Sequence, residues 1–75
     1  MPRLPVLSGR EVVRVFEKFG WQQARQTGSH IILTKQGHPA TLSVPDPREV
    51  ARGTLRSLIR QAGITADEFV KKASE

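Results

Sequence analysis

Val12, Val15, Phe16 and Phe19 recur at i, i+3, i+4 and i+7, so a helix through them carries its large apolar side chains along one narrow arc. Such a stripe is stable only when something covers it, and that need governs what the rest of the chain can do. The start of the helix is marked by Ser8 and Glu11, a Ser-x-x-Glu capping box, with Leu7 and Val12 at the positions of a hydrophobic staple. Arg10, Arg14, Glu17 and Lys18 fall on the opposite side, and Gly20 is expected to end the helix. With 75 residues there is room for one domain, spanning 1–75, and with no cysteine nothing staples it. The cover must therefore come from a compact sheet and a second helix.

Three runs after Gly20 suit that sheet. Trp21 to Arg25 is a plausible first strand, and Gln26-Thr27-Gly28 forms the turn into a second, His30 to Lys35, rich in β-branched residues. Gln36-Gly37-His38-Pro39 is turn chemistry again. Ala40 to Val44 then alternates, with Ala40, Leu42 and Val44 one way and Thr41 and Ser43 the other. Short turns imply an antiparallel meander. If Leu42 and Val44 face the helices, Ile31 and Leu33 are their partners, and His30, Ile32 and Thr34 share the other face.

Met1–Leu7 should be an irregular lead-in, and Pro45-Asp46-Pro47 should break the sheet. Thr54 is the best N-cap for the next helix, with a turn over Arg48–Arg52 before it. Leu55, Leu58, Ile59 and Ala62 mark its buried stripe, Arg56 and Arg60 flank that stripe, and Gly63 closes it. Thr65 and Glu68 repeat the capping box for a short last helix carrying Phe69 and Val70, with Ile64 and Phe69 as the staple. The expected fold class is α+β, in the order α-β-β-β-α plus a short C-terminal helix, with both main helices on one face of a three-stranded antiparallel sheet. Double-stranded-RNA-binding domains share that order and size.

The formal charge is +5, and its distribution says more than its size. No acidic residue lies between Glu17 and Asp46, or between Glu49 and Asp67, while Lys18, Arg25, Lys35, Arg52, Arg56 and Arg60 fall in those gaps. A solvated basic surface would serve solubility alone. Two acid-free basic segments in so short a chain favour a polyanionic partner, either nucleic acid or an acidic protein. No apolar run approaches a membrane span, and Met1–Leu7 is too short and proline-broken for a signal peptide, so a cytoplasmic protein is expected.

Several chemistries find no residues here. There is no cysteine nucleophile, no His-x-x-x-His pair or carboxylate cluster for a metal, and no glycine-rich phosphate loop, so neither metal nor cofactor is expected. His30 is the residue out of place, because a strand end rarely favours histidine and imidazole is the side chain suited to proton transfer near neutrality. A hydrogen-bonded structural histidine is the commoner case. His38, between glycine and proline, reads as an exposed loop residue, Phe19 as core, and Trp21 as core or a base-stacking platform.

Gly20-Trp21, then Gly28-Ser29-His30, then Val44-Pro45, then the run from Gly53-Thr54-Leu55-Arg56 to Gln61-Ala62-Gly63-Ile64 resemble the HicA toxins of bacterial HicA–HicB toxin–antitoxin systems. The resemblance covers roughly Ser8 to Val70, and its weight lies in the four pieces occurring in order at these spacings. It implies a dsRBD-like fold, a metal-independent endoribonuclease that cleaves mRNA, and a HicB-type antitoxin partner. The family's catalytic histidine maps onto His30. Many relatives carry a further histidine shortly after the Val-Pro, where this chain reads Asp46-Pro47, so no role for a second histidine carries over. RNA brings its own nucleophile, the 2′-OH, and needs a proton acceptor, a proton donor and positive charge at phosphorus. On this reading His30 is general base or acid, and Lys35, Arg25 or Arg56 holds phosphate. Ser29 either donates to phosphate or caps its turn. A non-catalytic RNA-binding module of the same fold is the alternative.

Overall fold

Both capping boxes form. In a computed structural model describing residues 3–46 and 48–75, helix α1 runs Gly9–Glu17 and helix α3 runs Ala66–Ala73. Met1 and Pro2 of the expected lead-in, and Pro47 of the expected sheet break, lie outside the described residues. At α1 the Glu11 N–H donates to Ser8 Oγ at 3.2 Å and the Ser8 N–H to Glu11 Oε1 at 2.9 Å. The Ser8 backbone N–H, then its side chain, hold the Glu11 carboxyl below its usual pKa of 4.5, with Arg14 adding a smaller pull. At α3 the reciprocal bonds between Thr65 and Glu68 are 2.8 and 3.1 Å. These are local, side chain to backbone interactions, which is why short sequence signatures locate them.

Strands β2 (Gln22–Thr27), β3 (His30–Thr34) and β4 (Leu42–Pro45) make an antiparallel sheet in the order β2-β3-β4. Ile31 pairs with Val44 and Leu33 with Leu42, and all four are buried, so this face carries the core, as the alternation implies. Helix α1 contributes Val12, Val15 and Phe16 to that core, and helix α2 (Arg52–Ala62) contributes Leu55, Leu58, Ile59 and Ala62. Phe16 packs edge-on against Trp21, centroids 6.4 Å apart, and against Phe69 at 5.3 Å. The fold is α+β with the expected α-β-β-β-α order and the extra C-terminal helix.

Several details differ from expectation, beginning with the first hairpin, where Gln26 and Thr27 belong to strand β2 and the turn is Gly28-Ser29 alone. Helix α1 stops at Glu17, and the N–H groups of Lys18, Phe19 and Gly20 bond three residues back, so the tightened last turn leaves Phe19 half-buried at the margin of the core. Helix α2 begins at Arg52 with Ala51 as N-cap and no side-chain cap, so Thr54 lies inside it. Arg48–Arg52 is not a simple turn either. Strand β5 (Glu49–Val50) pairs with β1 (Leu7–Ser8), Leu7 opposite Val50, and this second, two-stranded ladder delivers the chain already aligned for the helix. Arg52 Nε donates to the Leu4 carbonyl at 2.9 Å, while Leu4 itself is fully buried, which anchors an otherwise irregular lead-in. Finally, His38 is not a free loop residue. Its ring lies 4.9 Å from the buried Trp21 ring, and its Nδ1 accepts the Ala40 N–H at 3.1 Å.

Candidate active site

Thr27 and His30 face each other across the two-residue turn Gly28-Ser29. Gly28 has φ +56° and Ser29 does not share a positive φ, as a type II′ hairpin requires. Glycine is the residue that occupies that first position without strain. The turn is tied on its other side, where the Asp46 N–H donates to the Ser29 carbonyl at 2.7 Å. Beneath that tie, helix α1 approaches so closely that a Cβ at Gly9 would overlap the Pro45 carbonyl. Pro45 is the residue opposite His30 on β4. The histidine thus sits at a corner fixed by a hairpin turn, a backbone bond to β4 and a glycine-dependent helix contact.

His30 is exposed on the uncovered face of the sheet, and its ring makes no hydrogen bond to another described residue. The register decides its company. Thr27, His30 and Pro45 form one rung, and Arg25, Ile32 and Ser43 form the next rung on the same face, two residues along. Residues opposite each other in an antiparallel sheet share a face, and diagonal neighbours lie about 7–8 Å apart, within reach of a long side chain. Arg25 is such a diagonal neighbour of His30. The Ser29 hydroxyl is exposed and makes no hydrogen bond to a described residue, so it does not cap its own turn.

A bulge makes this grouping compatible with the core. Gln23 pairs with Leu33 but Arg25 with Ile32, leaving Ala24 as one extra residue on β2. Strict alternation back from Thr27 would turn Trp21 to the open face. The extra residue resets the phase, so Trp21 is buried (1% exposed) while Arg25 and Thr27 stay beside His30. Trp21 as a base platform is thereby excluded. Its Nε1 is buried with no hydrogen-bond partner among the described residues, which costs roughly 1–3 kcal/mol and marks how strongly the indole is wanted in the core.

The other two cations are elsewhere. Lys35 follows β3 at the opposite end from His30, about 16 Å along the strand at ~3.3 Å per residue, with its stem against Gly20. Arg56 is exposed on α2, in the layer behind the covered face. Ile32 shares the face of His30 as its alternation implies, whereas Thr27 and Ser43 are neighbours that the sequence does not single out. The two-residue turn would have given Thr27, whereas Ser43 required the pairing register. Asp46 is buried (7% exposed), and Arg10 Nε lies 3.8 Å from its Oδ1, a loose pair that bridges α1 to the end of β4. Among the described residues no three His, Cys, Asp or Glu side chains cluster as a metal site would need. No helix among them is long and apolar enough to cross a membrane.

Comparison with individually curated proteins returns no match. A family model described as the HicA toxin of bacterial toxin–antitoxin systems matches residues 9–64, from the first residue of α1 to just beyond α2, and so takes in the hairpin, His30 and the close approach at Gly9. The chain therefore belongs to the HicA family, the toxin component of a bacterial toxin–antitoxin pair.

Proposed function

We propose that this toxin is a metal-independent endoribonuclease that cleaves mRNA in the cytoplasm, with His30 as its proton-transfer residue, and that a HicB-type antitoxin restrains it. The observation carrying the proposal is the His30 imidazole, unpaired among the described residues, on an open sheet face with Arg25 as its diagonal neighbour on that face. In this reaction the RNA 2′-oxygen gives up its proton, attacks phosphorus and expels the 5′-oxygen, which takes a proton in turn. His30 performs one of the two transfers and solvent the other. The products are a 2′,3′-cyclic phosphate and a 5′-hydroxyl. Arg25 is the cation placed to hold a phosphate oxygen as charge builds on it, a task for which a planar guanidinium fits better than an ammonium. Ser29 and Thr27 offer hydroxyl donors beside it. Lys35 and Arg56 add longer-range attraction for the RNA backbone.

The replacement of the family's loop histidine by Asp46 favours the rival reading, a non-catalytic RNA-binding module, because one proton carrier is then missing. Purified protein incubated with mRNA in the presence of a chelator, wild type beside His30→Ala, separates the two. Cleavage by the wild type that is lost in the variant is the expected result. RNA binding without cleavage in both would establish the binding module instead.

A further inference from the structure

Beside the bulged strand β2 runs a groove that the reading of His30 does not use. It is a cavity of about 140 Å³ between α1 and β2, floored by Val13 and Ile31 and walled by Arg10, Arg14, Gln23 and Gln26, with Glu17 at its far end. Gln23 and Gln26 pair with Leu33 and Ile31, so the same register that puts Arg25 on the open face puts these two carboxamides on the helix side. One end of the groove reaches the hairpin corner that carries His30, on the other face of the sheet, so a strand passing from one to the other crosses the β2 edge. Arg10 lies against Asp46, whose N–H holds the Ser29 carbonyl, and the Gln26–Ile31 rung adjoins the Thr27–His30 rung.

We propose that this groove is a second RNA subsite, a track for the single strand that continues past the His30 turn. Arg10 and Arg14 stand one helical turn apart on one face of α1, where side chains at i and i+4 are neighbours, and each can grip a successive phosphate of one strand. Arg14 has no ion pair among the described residues, and Arg10 is held only by the loose 3.8 Å contact to Asp46, so both guanidiniums are available. Gln23 and Gln26 each offer a donor and an acceptor, suited to base edges or the 2′-OH. Glu17 closes the cationic run and limits it to about two phosphates.

An acidic protein strand would satisfy the same arginines. The bulge at Ala24 argues against it, because an interrupted edge is a poor template for backbone pairing. The track rests on RNA being the substrate, but its test does not rest on cleavage. Single-stranded RNA that is 2′-O-methylated throughout lacks the nucleophile and reports binding alone.

Its affinity is measured against salt for wild type, Arg14→Gln, the Arg10→Gln/Arg14→Gln double variant and, as a charge-matched control, Arg60→Gln on α2, with unfolding midpoints confirming that each is folded. Each lost phosphate contact should lower the log–log salt slope by about 0.7. Arg14→Gln is thus expected to lose about 0.7 and the double variant about 1.4, with affinity down roughly tenfold or more, and the Gln23 and Gln26 side-chain amides should shift on titration by NMR. An unchanged slope in the double variant would overturn the track, as would an equal loss in Arg60→Gln, which would mean diffuse charge only. Displacement of those amide signals by a Glu-rich peptide but not by RNA would also overturn it, by assigning the groove to an acidic protein. Intact binding with no cleavage of unmodified RNA would contradict the His30 reading and leave the track standing. Cleavage with no effect of the arginines on binding would do the reverse.

Discussion

His30 and His38 differ less in sequence than in what surrounds them. Each comes within two residues of a glycine with positive φ, His30 after Gly28-Ser29 and His38 directly after Gly37, in turns at opposite ends of β3. His38 is half-buried, its ring tilted against Trp21 and its Nδ1 occupied by the Ala40 N–H, so it stabilises the fold. His30 projects from the open face with its ring nitrogens unclaimed by described residues and Arg25 diagonally across from it on the same face. The contrast teaches that histidine becomes a candidate for chemistry through what its neighbours leave unsatisfied, and here the neighbours are set by strand register and by one bulge.

The contrast can be broken most directly by truncating each ring. His30→Ala should reduce mRNA cleavage by about 10²- to 10⁴-fold, the usual weight of a general acid or base, in a metal-free assay. Its stability should stay within ~0.5 kcal/mol of wild type, because the side chain is exposed and unpaired. His38→Ala should do the opposite. Losing a ring contact and a hydrogen bond costs about 1–2 kcal/mol, and each kcal/mol lowers the melting temperature of a domain this size by roughly 4–8 °C. Cleavage per folded molecule should be unchanged. If His38→Ala silences cleavage while remaining folded, the assignment of the two roles fails.

The cations sharpen the same comparison at smaller amplitude. Arg25→Gln should lower kcat/KM about tenfold, on the order of 1.4 kcal/mol at the transition state. Lys35→Gln, at the far end of β3, should change it by no more than about twofold. Equal losses would mean that RNA spans the whole strand rather than centring on the hairpin.

The smallest effect concerns the helix that supports the corner. Glu11 has a lowered folded-state pKa, so its contribution is fully present above the usual 4.5 and is lost as pH falls through the lowered folded value. Stability of the wild type should therefore decline over that acid window. Glu11→Gln should flatten that part of the urea-unfolding profile against pH while leaving neutral-pH cleavage intact. An unaltered acid limb would show that Ser8 and Glu11 do not hold the helix start.

Legibility in the sequence followed the range of the interaction. The boxes Ser8–Glu11 and Thr65–Glu68 are three-residue affairs and were readable, as was the facing of Ile31, Leu33, Leu42 and Val44, which period-2 patterning controls. The start of α2 was not, because Thr54 is a good local cap while the actual start is imposed by the distant pairing of Leu7 with Val50. The bulge at Ala24 was hidden for a similar reason. It reconciles two demands, Trp21 in the core and a two-residue turn at Gly28-Ser29, that meet only in the folded sheet. At the candidate site the Gly-Ser-His motif pointed to His30, but which cation lies beside it depended on register, so Lys35 and Arg56 could not be told from Arg25.

The central claim is in-line attack by the RNA's own 2′-oxygen, assisted by one imidazole. The chemical nature of the ends left on mRNA fragments, generated by wild-type protein in excess chelator, tests it most directly. A 2′,3′-cyclic phosphate on one fragment and a 5′-hydroxyl on the next are expected, with His30→Ala forming them about 10²- to 10⁴-fold more slowly. Fragments ending in 3′-hydroxyl and 5′-phosphate would contradict it.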